Sequence, residues 1–182
     1  MTMLRTLFVS LWVALLSACA LTVTSTANQE ALDPQAKWAL LPITNNTDTP
    51  QAALAAEALV EHQLRKRGIS NLAHYPAALS RDSLFEPTER KVTEEAQKWA
   101  KDQGARFVVL GSVQEWRYKV GIDGEPAVGI TLQVLDLSNG RVMWSASAAK
   151  SGWSREALSA VAQTLLTEML TGLKLIPVKL PG

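Results

Sequence analysis

From residue 106 to residue 150, hydrophobic and polar positions fall into three strand-like stretches separated by turn dipeptides. Phe107, Val108, Val109 and Leu110 form a continuous apolar run, whereas Val128, Ile130, Leu132 and Val134 alternate with Gly129, Thr131 and Gln133. A period of two places one face of a strand in a core. Val142, Trp144 and Ala146 repeat it. Asp123-Gly124 and Asn139-Gly140 supply the positive φ angles of tight hairpins, so the stretch reads as a three-stranded antiparallel meander.

Helical spacing takes over on either side. Residues 37–43, KWALLPI, read as a short apolar strand, followed by a helix with Asp48 or Thr49 as N-cap and Pro50 in its first turn. Ala53, Ala56, Val60 and Leu64 share its apolar face, and Arg65-Lys66-Arg67-Gly68 close it. That basic triplet has two readings, a phosphate or lipid-headgroup patch and ordinary cationic capping of a helix C-terminus, and the second is the simpler. Residues 69–75 read as a weak strand and 76–87 as a surface excursion. A second helix spans 88–103, with Val92, Ala96, Trp99 and Ala100 facing the core and Gly104 as its stop. A third begins at Ser151 or Ser154, with Leu158, Val161, Leu165 and Met169 along one stripe that Leu166, Leu170 and Leu173 widen. The order predicts an α/β fold: a single small α/β sandwich, its mixed sheet containing the meander, with three helices packed on it.

The first residues read as an address. Arg5 precedes an apolar run too short to span a bilayer, and the run ends in Leu16-Ser17-Ala18-Cys19. This resembles the bacterial lipobox, which implies a signal peptide over residues 1–18 and acylation of Cys19. Ala20 rather than Asp follows the cysteine, which by resemblance to the usual sorting pattern favours the outer membrane. Residues 19–35, rich in Thr, Ser, Asn and Gln, read as a flexible lipid-anchored tether, 36–175 as the α/β domain and 176–182 as a C-terminal tail. Loss of residues 1–18 removes Arg5 from 18 basic residues and none of the 17 acidic ones, so the mature chain is near neutral. Nothing in that balance calls for a nucleic-acid partner. The single cysteine excludes an internal disulfide.

Catalytic and cofactor motifs are missing from the sequence. His62 and His74 lie in no metal-ligand spacing, and there is no G-x-S-x-G, P-loop or dinucleotide fingerprint. The neighbouring carboxylates Asp123 and Glu125, or Glu94 and Glu95, are the residues on which a polysaccharide-modifying enzyme would depend, but spacing alone does not aim them at a common substrate. No enzyme, cofactor or metal site is therefore expected. Two features exceed what packing requires. The tip at residues 121–126, GIDGEP, carries Asp123 and Glu125, with no basic residue between Lys119 and Arg141; it is either a solvated turn or a functional acidic point. Trp153, at the expected start of the third helix, either staples onto Ala157 or points outward, where an indole on a lipid-anchored protein suits the water–lipid boundary.

Three segments carry a family resemblance: WALLPITNNTDTPQAALAAEALVEHQLRKRG, EWRYKVGIDGEPAVGITLQVLDLSNGRVMWSAS and KSGWSREALSAVAQTLL. They resemble the PelC family, outer-membrane lipoproteins of the Pel exopolysaccharide export system that supports biofilm formation. The order of elements is more distantly similar to TolB N-terminal and curli-secretion lipoprotein domains. The resemblance implies a non-enzymatic protein forming a dodecameric ring, anchored in lipid on the periplasmic face of the outer membrane. Its acidic opening would guide a cationic, partly deacetylated amino-sugar polymer to the β-barrel porin PelB. Carried over by position, Cys19 is the acylated anchor, Trp153 the membrane-facing aromatic and Asp123 the acidic lining, with Glu125 a further lining candidate. The competing classes are a monomeric interaction lipoprotein that binds or activates a cell-envelope enzyme, a polysaccharide-modifying enzyme and a structural scaffold.

Overall fold

The structure, a computed structural model, describes residues 21–27, 30–76, 89–121 and 124–177. The elements run β1 (Leu21–Ala27), β2 (Trp38–Asn45), α1 (Ala52–Lys66), β3 (Leu72–His74), α2 (Glu89–Asp102), β4 (Phe107–Tyr118), β5 (Pro126–Asp136), β6 (Arg141–Ser151) and α3 (Leu158–Leu170). The strands form one mixed sheet in the order β1-β6-β5-β4-β2-β3. β2 runs parallel to both β3 and β4, while β4, β5, β6 and β1 are successively antiparallel. The expected α/β architecture, with its meander and three helices, is what the chain adopts.

Helices α1 and α3 cover one face of the sheet, where Val60, Leu64, Val161, Leu165 and Met169 pack on Leu40, Val109, Ile130 and Leu132. On the other face α2 sets Ala96 and Ala100 against Ala39, Leu41 and Val108. Buried on both sides, β2 shows a continuous apolar run, Trp38 to Leu41, rather than alternation. Trp38 meets Phe107 at a ring-centroid distance of 4.8 Å. Trp99, expected in the core, is half-buried and stands edge-on to Tyr75 at 5.2 Å. The glycine stops act as foreseen: Gly68 and Gly104 take φ of 93° and 73°, and the residues after them donate back to Leu64 and Ala100.

The tether reading is corrected over part of its length. Leu21–Ala27 is a strand that adds to the meander, pairing from Leu21↔Lys150 to Ala27↔Trp144. Farther on, Leu32 is buried and bridges Leu175, accepting from the N–H of Ile176 at 2.9 Å. At least the first residue of the expected tail is therefore tied down. Residues 1–20, 28–29, 77–88 (the excursion after Pro76), 122–123 and 178–182 lie outside the described residues.

Three local expectations also give way to tertiary contacts. α1 starts at Ala52 behind Gln51, at φ 60°, because the Thr49 hydroxyl donates to the Trp116 carbonyl rather than capping the helix. α3 starts at Leu158, not at Ser151 or Ser154, because β6 continues to Ser151 alongside β5. In the β5–β6 turn only Gly140 has positive φ; Asn139 does not, and its Oδ1 accepts the Arg141 N–H at 2.9 Å.

Candidate functional site

Of the sequence candidates, Glu125 and Trp153 lie at one end of the sheet, where the β4–β5 hairpin meets the loop between β6 and α3. The hairpin closes with the Lys119 N–H donating to the Glu125 carbonyl at 2.7 Å, and Gly124 takes φ 53°. The β6–α3 loop is bound to it at several points. Gly152 N–H donates to the Pro126 carbonyl at 2.8 Å, and Lys119 Nζ donates to Ser151 Oγ at 2.7 Å. The Tyr118 hydroxyl accepts the Leu158 N–H at 3.1 Å and donates to the Glu156 carbonyl at 3.4 Å. Tyr118 thus supplies the acceptor that a capping side chain would otherwise give α3, whose N-cap is Ala157.

Within the loop, Glu156 Oε2 accepts the Trp153 N–H at 3.0 Å and the Glu156 N–H returns to the Trp153 carbonyl at 3.0 Å. This reciprocal pair resembles a capping box and fixes the backbone under the indole. Gly152 allows the close approach, since a Cβ there would come within 2.5 Å of Glu156 Oε2 and of Val161 Cγ2. Trp153 is 71% exposed and so is not a staple onto Ala157. Glu125 is exposed, but its carboxylate lies 3.8 Å from Lys119 Nζ, a compensation that crosses the hairpin and was not legible as a local charge pattern. Cys19 and Asp123 lie outside the described residues.

A second cluster, missed in the sequence, gathers at the β3 edge of the sheet. His74 on β3 places Nδ1 3.1 Å from Glu61 and Nε2 3.1 Å from Glu57, both on α1. Glu57 Oε1 also accepts the Ile43 N–H at 2.8 Å. The hydrogen bond from Arg65 holds the Glu61 carboxyl below its ordinary pKa, against the opposing effect of burial, and the charge of His74 adds to the lowering. Arg65 continues to the carbonyls of Ser70 and Leu72, and Arg67 donates to that of Leu173 at 2.6 Å. Two of the three basic residues are therefore bound within the fold, to carbonyls outside α1 rather than to the last ones of the helix.

A surface groove of about 690 Å³ runs between the uncovered sheet face and α2. Among the described residues its lining, including Thr44, Asn45, Ser112, Thr131 and Gln133, contains no titratable side chain that could act as general acid or general base. Among the described residues no three His, Cys, Asp or Glu side chains gather in a way that would hold a metal ion. No helix among them is long and apolar enough to cross a membrane.

Neither a scan against protein-family models nor a search of curated proteins finds a match. Solved structures do match. A PelC dodecamer from Paraburkholderia phytofirmans is 39% identical, with a TM-score of 0.73, over 87% of this chain and 100% of the other. The chain belongs to the PelC family. A leucine-to-methionine variant of the same PelC, also a dodecamer, matches at 39% identity and a TM-score of 0.74, over 86% of this chain and all of that one. The PelC fold extends to the lipoprotein GNA1162 of Neisseria meningitidis, 19% identical with a TM-score of 0.56, covering 75% and 96% of the two chains.

Proposed function

We propose that this protein is a non-enzymatic lipoprotein of Pel exopolysaccharide export that assembles into a closed ring, a dodecamer as in its relative, on the periplasmic face of the outer membrane. There it guides a cationic amino-sugar polymer to the porin PelB, and so supports biofilm formation. The observation that carries the reading is 39% identity over the full length of a chain solved as a dodecamer.

In this reading Cys19 carries the acyl chains. It lies two residues before β1, a reach of about 7 Å of extended chain. Because Leu21 pairs with Lys150, the anchor enters the fold close to Trp153, which supports a membrane-facing place for that indole. The hairpin is joined to the same loop through Gly152 and Pro126, which supports an acidic opening near the membrane-proximal end of the ring. Lys119 offsets Glu125, and we assign the attraction for polymer chiefly to Asp123. A single carboxylate attracts an amine weakly in water, but copies converging on one mouth add their fields and raise the local concentration of cations. Weak repeated contacts let the polymer slide.

The test is Asp123→Lys in cells that secrete the polymer. Polymer release stops while folding and membrane location are retained; unchanged secretion rejects the charged opening.

A further inference from the structure

The end of the sheet that carries Trp153 exposes a second apolar point. Val120, at the β4–β5 tip, is fully exposed at 104% of its reference area, more than any other large hydrophobic residue described. A β-branched side chain gains nothing from a solvated turn, where Gly, Asn, Asp and Ser are the residues with a conformational reason to be present. Val120 and Trp153 come from different segments, yet they sit on one stitched unit: their neighbours Lys119, Ser151, Gly152 and Pro126 are hydrogen-bonded across the gap. The β1–β6 register leads the sequence position of Cys19 to this same end.

From this we infer that Val120 and Trp153 form a two-point wedge that enters the interfacial region of a lipid bilayer, held there by apolar burial rather than by attraction to anionic headgroups. The inference rests on the membrane-facing reading of Trp153 and adds a second insertion point to it. The charges nearby decide the driving force. Of the basic residues Arg117, Lys119, Lys150 and Arg155, the first three are already paired within the protein, with Glu115, Glu125 and Glu168 respectively. Such pairing gives no strong field toward an anionic surface. The amphipathic indole and the valine supply the interfacial affinity instead. One such pair binds weakly, and its repetition on neighbouring copies sets the ring's tilt and depth.

The test uses the acylated full protein in phosphatidylcholine vesicles. With Cys19 acylated, a cysteine introduced at Val120, Trp153 or Ser147 is the sole free thiol and takes an environment-sensitive fluorophore. Ser147 is exposed on the uncovered sheet face and serves as the aqueous control. Expected for Val120→Cys and Trp153→Cys is a several-fold brighter, blue-shifted emission in vesicles, quenched by shallow brominated lipids and unaffected by raised salt; Ser147→Cys stays dim. A lipid signal at position 153 alone overturns the wedge and leaves the Trp153 reading standing. Absence at both positions overturns both. A signal at 120 that persists in detergent without lipid assigns Val120 to a contact between copies, and a signal that needs anionic lipid or vanishes with salt overturns the apolar driving force.

Discussion

Pro42 sits in a strand flanked on both sides, where it removes a ladder donor, and the β2–β4 register shifts between Leu40 and Ile43 around it. The Ile43 N–H then goes to Glu57 of α1, so the irregularity in the strand locks the helix to the sheet. That explains a glutamate only 7% exposed on a helix whose other buried residues are alanine, valine, leucine and one glutamine. Asp136, 2% exposed, plays a comparable part in the β5–β6 turn. Burial opposes its ionisation, but hydrogen bonds from the Ser138 hydroxyl (2.6 Å) and N–H (2.9 Å), together with Arg106, outweigh it and leave the pKa below the ordinary value. A carboxyl whose folded pKa is depressed contributes stability above its unfolded pKa and loses it as pH falls through the folded one. Asp136→Asn is therefore expected to cost about 1–3 kcal/mol near neutral pH. The gap to wild type should narrow at acid pH, as urea unfolding over a pH series would show; a gap constant with pH would mean that ionisation contributes nothing.

At the level of elements, β1 has the largest consequence. It covers the edge of β6 and extends the antiparallel part of the sheet to four strands. An uncovered edge presents unpaired backbone groups and invites pairing with another chain. Deleting residues 21–27 is expected to lower stability by a few kcal/mol, on the order of 1 kcal/mol for each ladder hydrogen bond lost. It should also promote irregular self-association, visible as broad, concentration-dependent elution in gel filtration. Unchanged stability would return the segment to the role of a tether. The strand has a sequence signature after all: Leu21, Val23, Ser25 and Ala27 alternate with Thr22, Thr24 and Thr26. Threonine's β-branching favours extended backbone, but its polarity conceals the period when only apolar positions are counted.

In the whole molecule, two polar clusters hold different parts of a nearly neutral chain. The hairpin tip and Trp153 occupy one end of the sheet, while the His74, Glu57 and Glu61 cluster fastens the β3 edge. A closed cyclic ring with a single type of contact uses two different surfaces of each copy, and closure admits one size. Native mass spectrometry of the acylated protein in mild detergent is expected to give one discrete closed oligomer. A monomer would remove the repetition on which the electrostatic opening depends and would favour a partner-binding lipoprotein.

Much of this was legible in advance because it depends on local period and local chemistry. The alternation at residues 128–134, the stripe from Leu158 to Met169 and the glycines after α1 and α2 are each fixed by nearby backbone geometry, and they define the α/β class. The resemblance in the KSGWSREALSAVAQ and YKVGIDGEPAVG segments likewise singled out the two loops that meet at the candidate site. What the sequence by itself could not decide depends on contacts that exist only once strands and loops have come together. The salt bridge between Lys119 and Glu125 needs the hairpin closed, and the Thr49 hydroxyl leaves its helix for Trp116 only once β4 lies beside it. The start of α3 at Leu158 depends on β5 holding β6 straight to Ser151 and on Tyr118 supplying the missing acceptor. Pairing across a sheet is set by long-range register, which no short window of sequence contains. Only the folded chain therefore brings the start of β1, the exposed Trp153 and the Glu125 side of the hairpin to one end.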